Sequence, residues 1–265
     1  MIRPFAAPEG ALLRGIPDSY PLCLRENTLP IDVALARVQH AAYAAALEDA
    51  GIAVATLAAE ASCPDCVFIE DIAAILGARA VLTRPGASAR RPECLAVAEA
   101  LAGELELHSM AAPATLDGGD VLRVGDTLYV GLSGRTNAAG FVFLAGVAAA
   151  EGIHAVPVPL AAGLHLKSAS SLVSPELVVL EVGPLDPALF RAAGVEVLVI
   201  DEAHAGNVLA LGSRVLVSAA APKLADLLTR RGLDVVALDL SELHKGDGAL
   251  TCLSLRIPAP GTWCA

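Results

Sequence analysis

The sequence predicts an α/β fold of five similar units closed on one another, and three observations predict it. The first is a junction written five times: an Ala/Leu-rich helical stretch, a stopping glycine, then a short β-type run. It stands at Gly51 before Ile52-Ala53-Val54, Gly103 before Glu104 to Leu107, Gly152 before Ile153 to Val156, Gly194 before Val195 to Ile200, and Gly232 before Leu233 to Leu238. Glycine takes the left-handed conformation that ends a helix without a Cβ penalty, and the β-branched residues that follow suit a strand. The second is spacing: the glycines lie 52, 49, 42 and 38 residues apart, room for about one helix and three strands per unit. The third is that neither end carries a capping repeat, which favours a closed ring over a solenoid. An open α/β sandwich with the same alternation is the competing architecture.

The first helix, Ile31 to Ala50, opens at Pro30-Ile31-Asp32 and sets Ile31, Leu35, Val38, Ala42 and Ala46 on one face, expected to pack inward. Pro92 and Pro222 stand where a first-turn proline is tolerated. Val121 to Val124 and Thr127 to Val130 flank Gly125-Asp126, and Val208 to Leu211 and Arg214 to Val217 flank Gly212-Ser213, each a tight hairpin. The longest uncharged apolar run, Ala138 to Ala150, stops at Glu151, short of the roughly 18 to 20 residues that cross a bilayer, and reads as a buried helix. No linker interrupts the pattern; the segment around Pro157, Pro159 and Gly163 is too short and apolar. Residues 1–265 therefore read as one domain.

The chain has 265 residues, 55% apolar and 18% charged, enough to bury a sizeable core. Its net charge of −11, with no basic block, argues against nucleic-acid and anionic-membrane partners. The start, through Met1, Arg3, Pro4, Glu9 and Arg14, has no apolar stretch behind a basic opening, so a cytoplasmic protein without a signal peptide is expected. Six cysteines (23, 63, 66, 94, 252 and 264) then read as free thiols. Cys63-Pro64-Asp65-Cys66 lacks a second pair or a matched His, so two ordinary thiols are favoured over a zinc or redox site. No phosphate loop and no Gly-x-Gly-x-x-Gly appear, which disfavours nucleotide enzymes.

Polar residues break the apolar pattern at Pro64 to Asp71, Thr115 to Asp120, Gly163 to Ser168 and Lys245 to Cys252. Each has a plain reading. Asp117-Gly-Gly-Asp120 suits a turn with positive φ; Glu70 and Asp71 on a strand would face opposite sides; His165 between leucines suits a core imidazole. Cys252, in the strand-like run Leu250 to Ile257, suits a small buried hydrophobe. Together, on corresponding loops of a ring, they would converge as nucleophile, base and orienting acid.

Six segments carry a resemblance: Pro64-Asp-Cys-Val-Phe-Ile-Glu-Asp71, Thr83-Arg-Pro-Gly86, Ala114-Thr-Leu-Asp-Gly-Gly-Asp-Val-Leu122, Val130-Gly-Leu-Ser-Gly-Arg-Thr-Asn137, Gly163-Leu-His-Leu-Lys-Ser168 and Asp247-Gly-Ala-Leu-Thr-Cys252. They resemble the dimethylarginine dimethylaminohydrolase family, in its order, from about Arg14 to Ile257. The resemblance implies the pentein fold, a five-bladed α/β propeller of pseudo-fivefold ββαβ repeats. It implies hydrolysis of asymmetric dimethylarginine or monomethylarginine to citrulline plus dimethylamine or methylamine, through a covalent thiouronium. It implies Cys252 as nucleophile, His165 as general acid and base, and Asp117 as the carboxylate orienting it, where some relatives carry Glu.

Substrate contacts follow by the same resemblance. Asp71 accepts guanidinium N–H groups, with Glu70 beside it; Phe68 and Leu24 line the methylated nitrogen; Arg90 and Arg135 hold the α-carboxylate; Asp65 holds the α-ammonium; Gly246 and Asp247 border the pocket. Arg84 and Arg91 read as packing arginines. The departures are Gly246, where relatives often carry a bulkier residue, and the weakly matching segment Gly15 to Leu29. No cofactor or metal is expected, zinc being an inhibitor by thiol and imidazole ligation. The expected partner is a small methylated arginine, and a homodimer is compatible with the sequence. A pentein acting on another guanidine, such as an arginine deiminase-like enzyme, a catalytically silent arginine-derivative binder and a scaffold with an apolar face are the competing readings.

Overall fold

The structure, a computed structural model, describes residues 7–160 and 163–258. Met1, Arg3, Pro4 and Cys264, which entered the sequence reading, lie outside the described residues. The chain opens with β1 (Gly10–Arg14), α1 (Val33–Asp49) and β2 (Ala53–Leu57). Two hairpin–helix–strand units follow: β3 (Ala73–Leu76), β4 (Arg79–Leu82), α2 (Cys94–Leu101), β5 (Glu106–Ser109), then β6 (Val121–Val124), β7 (Thr127–Leu132), α3 (Ala138–Ala150), β8 (His154–Pro159). A short α4 (Leu166–Ala169) leads into β9 (Ser170–Ser174), β10 (Leu177–Glu181), α5 (Ala188–Arg191) and β11 (Glu196–Ile200). The last elements are β12 (Leu209–Leu211), β13 (Arg214–Ser218), α6 (Pro222–Arg230), β14 (Asp234–Leu238), α7 (Ser241–His244) and β15 (Leu255–Ile257).

Each unit is a three-stranded sheet whose middle strand pairs antiparallel with the first and parallel with the third. The fifth sheet is β15-β1-β2, with Gly10 opposite Ile257 antiparallel and opposite Ala53 parallel. The two ends of the chain thus complete one blade, so no unit needs a cap. This is the closed five-bladed α/β propeller expected from the junction count. All five junction glycines have positive φ, between 72° and 89°, and a Cβ on any of them would meet nothing within 4 Å, so the backbone alone requires glycine there.

Two helices differ from the sequence reading. Helix α1 begins at Val33, because Asp32 caps it by accepting from the Leu35 amide at 3.0 Å. Its apolar stripe is turned outward: Leu35 and Val38 are 38% and 64% exposed, and Ala42 is exposed. The buried face is Ala36, Gln39, His40, Tyr43 and Leu47; of the predicted stripe Ala46 is buried and Ile31 is partly buried against the same core. Gln39 sits inward because its amide serves α7, donating to Ser241 Oγ and accepting from the Glu242 amide. Helix α3 has the predicted bounds but buries only Gly140, Leu144 and Ala148, leaving Val142 65% exposed. It is a one-sided surface helix, and no helix of the described residues is long and apolar enough to cross a membrane.

The apolar core is divided into five clusters distributed among the blades. First strands stand side by side, β15 against β3, β6 against β9 and β9 against β12. The turns that feed them collect the buried charges Glu70, Asp71, Asp117, Asp120, His165 and Lys167.

Candidate active site

Every candidate catalytic side chain lies in the short segment just before the first strand of a blade. Asp71 is in the 3-10 turn Ile69–Ile72 before β3, Asp117 precedes the turn Gly118–Asp120 before β6, and His165 immediately precedes α4, which leads into β9. Cys252 is in the 3-10 turn Thr251–Leu253 before β15, so it is a turn residue and not the strand residue the sequence suggested. Ring closure brings these turns to one cavity of about 20 Å3, whose walls include Asp71, Asp117, His165 and Cys252.

His165 Nε2 is 3.1 Å from Asp117 Oδ2, and its Nδ1 is 3.8 Å from Asp71 Oδ1. Asp117 is held by the Gly86 amide, which donates to Oδ1 at 2.9 Å, and its own amide donates to Thr136 Oγ1. Gly118 and Gly119 are not in the left-handed region, so the turn is not the positive-φ type expected. Close approach explains them: a Cβ on Gly119 would lie 2.6 Å from His165 Nδ1 and 2.9 Å from Asp71 Oδ1, and one on Gly118 would overlap the Glu70 carbonyl. Glycine lets the imidazole and the carboxylate pack on bare backbone.

The rest of the wall is Leu24, Asp65, Phe68, Arg90, Arg135, Leu164, Gly246, Asp247 and Gly248. Leu24, 40% exposed, stands between cavity and solvent. Two pocket carboxylates tie its segment down: Asp65 Oδ1 accepts from the Leu24 amide at 3.0 Å and Asp247 Oδ2 from the Glu26 amide at 2.7 Å.

No protein-family model matches the chain. It is 41% identical over 229 residues to an N(G),N(G)-dimethylarginine dimethylaminohydrolase of Streptomyces coelicolor, covering 86% of this chain and 88% of that one. It is 31% identical to the protein of the same name from Pseudomonas aeruginosa, covering 85% and 89%. The chain belongs to the dimethylarginine dimethylaminohydrolase family. A family structure from P. aeruginosa, a cysteine-to-serine variant complexed with citrulline, superposes with a TM-score of 0.90 at 29% identity over 95% of this chain and all of that one. The N-terminal domain of ArgZ, an arginine dihydrolase, shares the fold with a TM-score of 0.83 at 19% identity over 94% and 98% of the two chains.

Within this family member the electrostatics of the site are sharply divided. Burial works to lower the His165 pKa, but Asp71, the Asp117 hydrogen bond and Asp120 outweigh it and hold the imidazolium up to about 9. Asp117 is held below the ordinary carboxylate range, against its own burial, by that same imidazolium. Burial, aided by the Glu70 and Asp71 carboxylates, pushes the Cys252 thiol up to about 12. At neutral pH these shifts favour a neutral thiol and a cationic imidazole lining the same cavity.

Two expected substrate contacts are placed differently. Glu70 is turned away from the cavity: it accepts from Lys167 Nζ at 2.6 Å, Arg256 Nη2 at 2.8 Å and Thr251 Oγ1 at 2.8 Å, and lines a separate space of about 80 Å3. Glu70 and Asp71 are adjacent, and the turn sends them to opposite sides, as alternation would. Arg90 reaches the cavity but is 4% exposed and clamped, with Nη1 2.5 Å from Asp71 Oδ2 and the other end on Glu93 and the Phe68 carbonyl. Arg135 is half-buried, and its guanidinium has no hydrogen bond among the described residues, which leaves it the freer cation. Arg84 and Arg91 donate to the Ala114 and Pro85 carbonyls, as packing arginines do.

Sequence reasoning missed the residues that hold the turns. Asp120 accepts from Ser133, Thr136 and the Leu166 amide, fixing the backbone beside His165. Asn207 donates to the Lys167 carbonyl and to Thr251 Oγ1, and accepts from the Thr251 amide, fixing the backbone beside Cys252. The signal was present, since each stands just before a first strand, at the place where the candidate catalytic residues stand. Cys63 and Cys66 are buried free thiols, Cys66 lying 3.8 Å from the Gly15 carbonyl. Among the described residues one group of donors is spaced to hold a metal ion, Asp71, Asp117 and His165.

Proposed function

We propose that the chain hydrolyses asymmetric dimethylarginine, and monomethylarginine, to citrulline plus dimethylamine or methylamine. The observation that carries this is the convergence of Cys252, the His165–Asp117 pair and Asp71 on one cavity with Arg135 at its wall. A guanidinium is a poor electrophile and needs a strong, soft nucleophile held against its plane. The bound cation supplies what the resting site lacks: its charge stabilises the Cys252 thiolate, and the thiol proton leaves to water.

Asp71 spends two of its roughly four acceptor sites on Gly119 and Arg90, leaving the others for the guanidinium N–H groups. Thiolate attack forms the C–S bond and a neutral tetrahedral adduct. His165 gives its proton to the methylated nitrogen, the C–N bond breaks, dimethylamine departs, and a thiouronium remains on Cys252. Neutral His165 then takes a proton from water as its oxygen adds to carbon. Collapse breaks the C–S bond, and the departing Cys252 thiolate takes up the remaining hydroxyl proton, giving citrulline and the resting thiol.

Arg135, with the last N–H of Arg90, suits the α-carboxylate, and Asp65 and Asp247 suit the α-ammonium. That ammonium would compete for the carboxylates that tie down Leu24 and Glu26. The chemistry calls for no cofactor. Zinc would act as an inhibitor by taking His165, and full activity at stoichiometric free zinc would overturn that. We place the reaction in the cytoplasm, where the described thiols stay reduced. The outward face of α1, Leu35, Val38 and Ala42, suits a homodimer; Val38→Asp should then lower the mass seen by sedimentation, and an unchanged mass would exclude that face.

Mass spectrometry of the products tests the main reading. Wild type should give citrulline and dimethylamine from asymmetric dimethylarginine, and Cys252→Ser should give neither. Citrulline and ammonia from arginine instead would move the protein to a deiminating pentein, and no product from either would favour a binder.

A further inference from the structure

Phe68 lines the catalytic cavity, yet what fixes its ring lies one layer behind. Tyr20 is fully buried and meets Phe68 edge to face, with ring centroids 5.9 Å apart at 68°. Its hydroxyl is 3.3 Å from the carbonyls of both Glu242 and Leu243 in α7, so its one proton is shared between them. The cavity loop that follows α7 has glycine at the two positions these rings occupy. A Cβ on Gly246 would overlap the Tyr20 hydroxyl and lie 3.0 Å from Cζ, and one on Gly248 would overlap Phe68 Cε1. Neither glycine has positive φ, so space and not backbone conformation requires them.

The loop, the two rings and the segment carrying Leu24 are therefore one interlocked body. Tyr20 opens the 3-10 turn Tyr20–Leu22, four residues before Leu24, and so links the Leu24 segment, the Phe68 ring and the Gly246 loop. We propose that Tyr20 is a positioning residue that sets the selectivity of the site for the number of methyl groups on the substrate nitrogen. This rests on the functional reading above. A dimethylated nitrogen has no donor left and needs an apolar surface fixed at contact distance. A Phe68 ring free to tilt away from Gly248 would admit water and accept a nitrogen with fewer methyls nearly as well. Discrimination of one methyl by such a wall is on the order of tenfold.

The experiment compares wild type, Tyr20→Phe, Gly246→Ala and the double variant in the full chain, measuring kcat and KM for asymmetric dimethylarginine and monomethylarginine, with melting temperatures alongside. Gly246→Ala should raise KM for the dimethylated substrate about tenfold with kcat within threefold, and lower the dimethyl-to-monomethyl ratio of kcat/KM several-fold. Tyr20→Phe alone should lower the ratio about threefold. The double variant should recover most of the ratio, because the new methyl takes the place of the hydroxyl. Additive losses, or equal losses on both substrates, would show that Tyr20 only supports folding and overturn the proposal. If Gly246→Ala does not fold, Tyr20→Phe and Tyr20→Leu give the same ratio test. A wild type that releases no citrulline overturns the functional reading itself, which separates the two failures.

Discussion

The proton on His165 is the point where fold and chemistry can be tested together. An imidazole this buried should lose its proton easily, and it is kept because Asp71, Asp117 and Asp120 surround it. Its pKa is raised from 6.5 to about 9, which at ~1.4 kcal/mol per unit corresponds to about 3 kcal/mol. Because the folded value is raised, that stability is fully present below pH 6.5 and is lost as pH rises through 9. Other groups act outside this window. His40 and His244, lowered to about 4 by burial, reduce stability only as pH falls below 6.5. Cys23 and Cys252, raised to about 12, begin to cost stability once unfolded thiols ionise, near pH 9. The assay is an imidazole 15N titration on histidine-labelled protein, with denaturant unfolding of wild type and His165→Gln at pH 6.5, 7.5 and 9. The His165 midpoint should fall between about 8 and 10, and kcat should decline along the same curve as the acid is lost. A midpoint at or below 6.5 would refute the claim that the three carboxylates overcome burial.

Gly119→Ala should reduce kcat at least a hundredfold by displacing the imidazole, whereas Gly51→Ala should cost about 1 kcal/mol of stability with activity intact; steady-state kinetics and urea melts on both distinguish crowding from backbone strain. Asp247 holds the left-handed position, φ 59°, that ends α7, where glycine is usual, and its carboxylate anchors Glu26. Asp247→Gly should leave stability unchanged or higher while KM rises about tenfold, and a stability loss above about 2 kcal/mol would mark the carboxylate as structural. Glu70→Gln leaves Lys167 and Arg256 buried without their carboxylate and should destabilise by about 3–5 kcal/mol. It should also speed iodoacetamide labelling of Cys252 at neutral pH, since Glu70 helps keep that thiol protonated.

The architecture was legible because it rests on local chemistry repeated five times. A glycine that must take positive φ is visible in sequence wherever it follows a helical stretch, and all five were. The candidate catalytic trio, which the structure brings to one cavity, was legible through motif resemblance and through recurrence before corresponding strands. What was hidden depends on which way an element is turned. Helix α1 has an apolar stripe and an opposite face of Ala36, Gln39, His40 and Tyr43, and periodicity prefers to bury the stripe. The fold buries the other face because Gln39 must cap α7. The Asp71–Arg90 contact was hidden for a related reason: matching each residue separately to a ligand contact does not show that the two are bonded to each other.

The arrangement also explains how the proposed nucleophile, Cys252, and the proposed acid, His165, can share a cavity without neutralising each other. A thiol and an imidazole in direct contact favour the thiolate–imidazolium pair, and a permanently charged pair reacts with any electrophile that arrives. Here burial first, and then the negative charges of Glu70 and Asp71, oppose thiolate formation at Cys252, while Asp71 with Asp117 and Asp120 retains the imidazolium. Asp71 thus contributes to raising both pKa values, leaving the site with the proposed acid protonated and the proposed nucleophile withheld. A cation seated against Asp71 would offset the part of that effect that is due to charge. Selectivity for a guanidinium then enters at ionisation of the thiol, before any bond forms, and a neutral urea such as citrulline gives no such assistance. The expected signature is that Cys252 alkylation by iodoacetamide accelerates when a guanidinium lacking a leaving amine is bound and does not when citrulline is bound. Equal rates with both would show that the thiol is ionised by the protein alone.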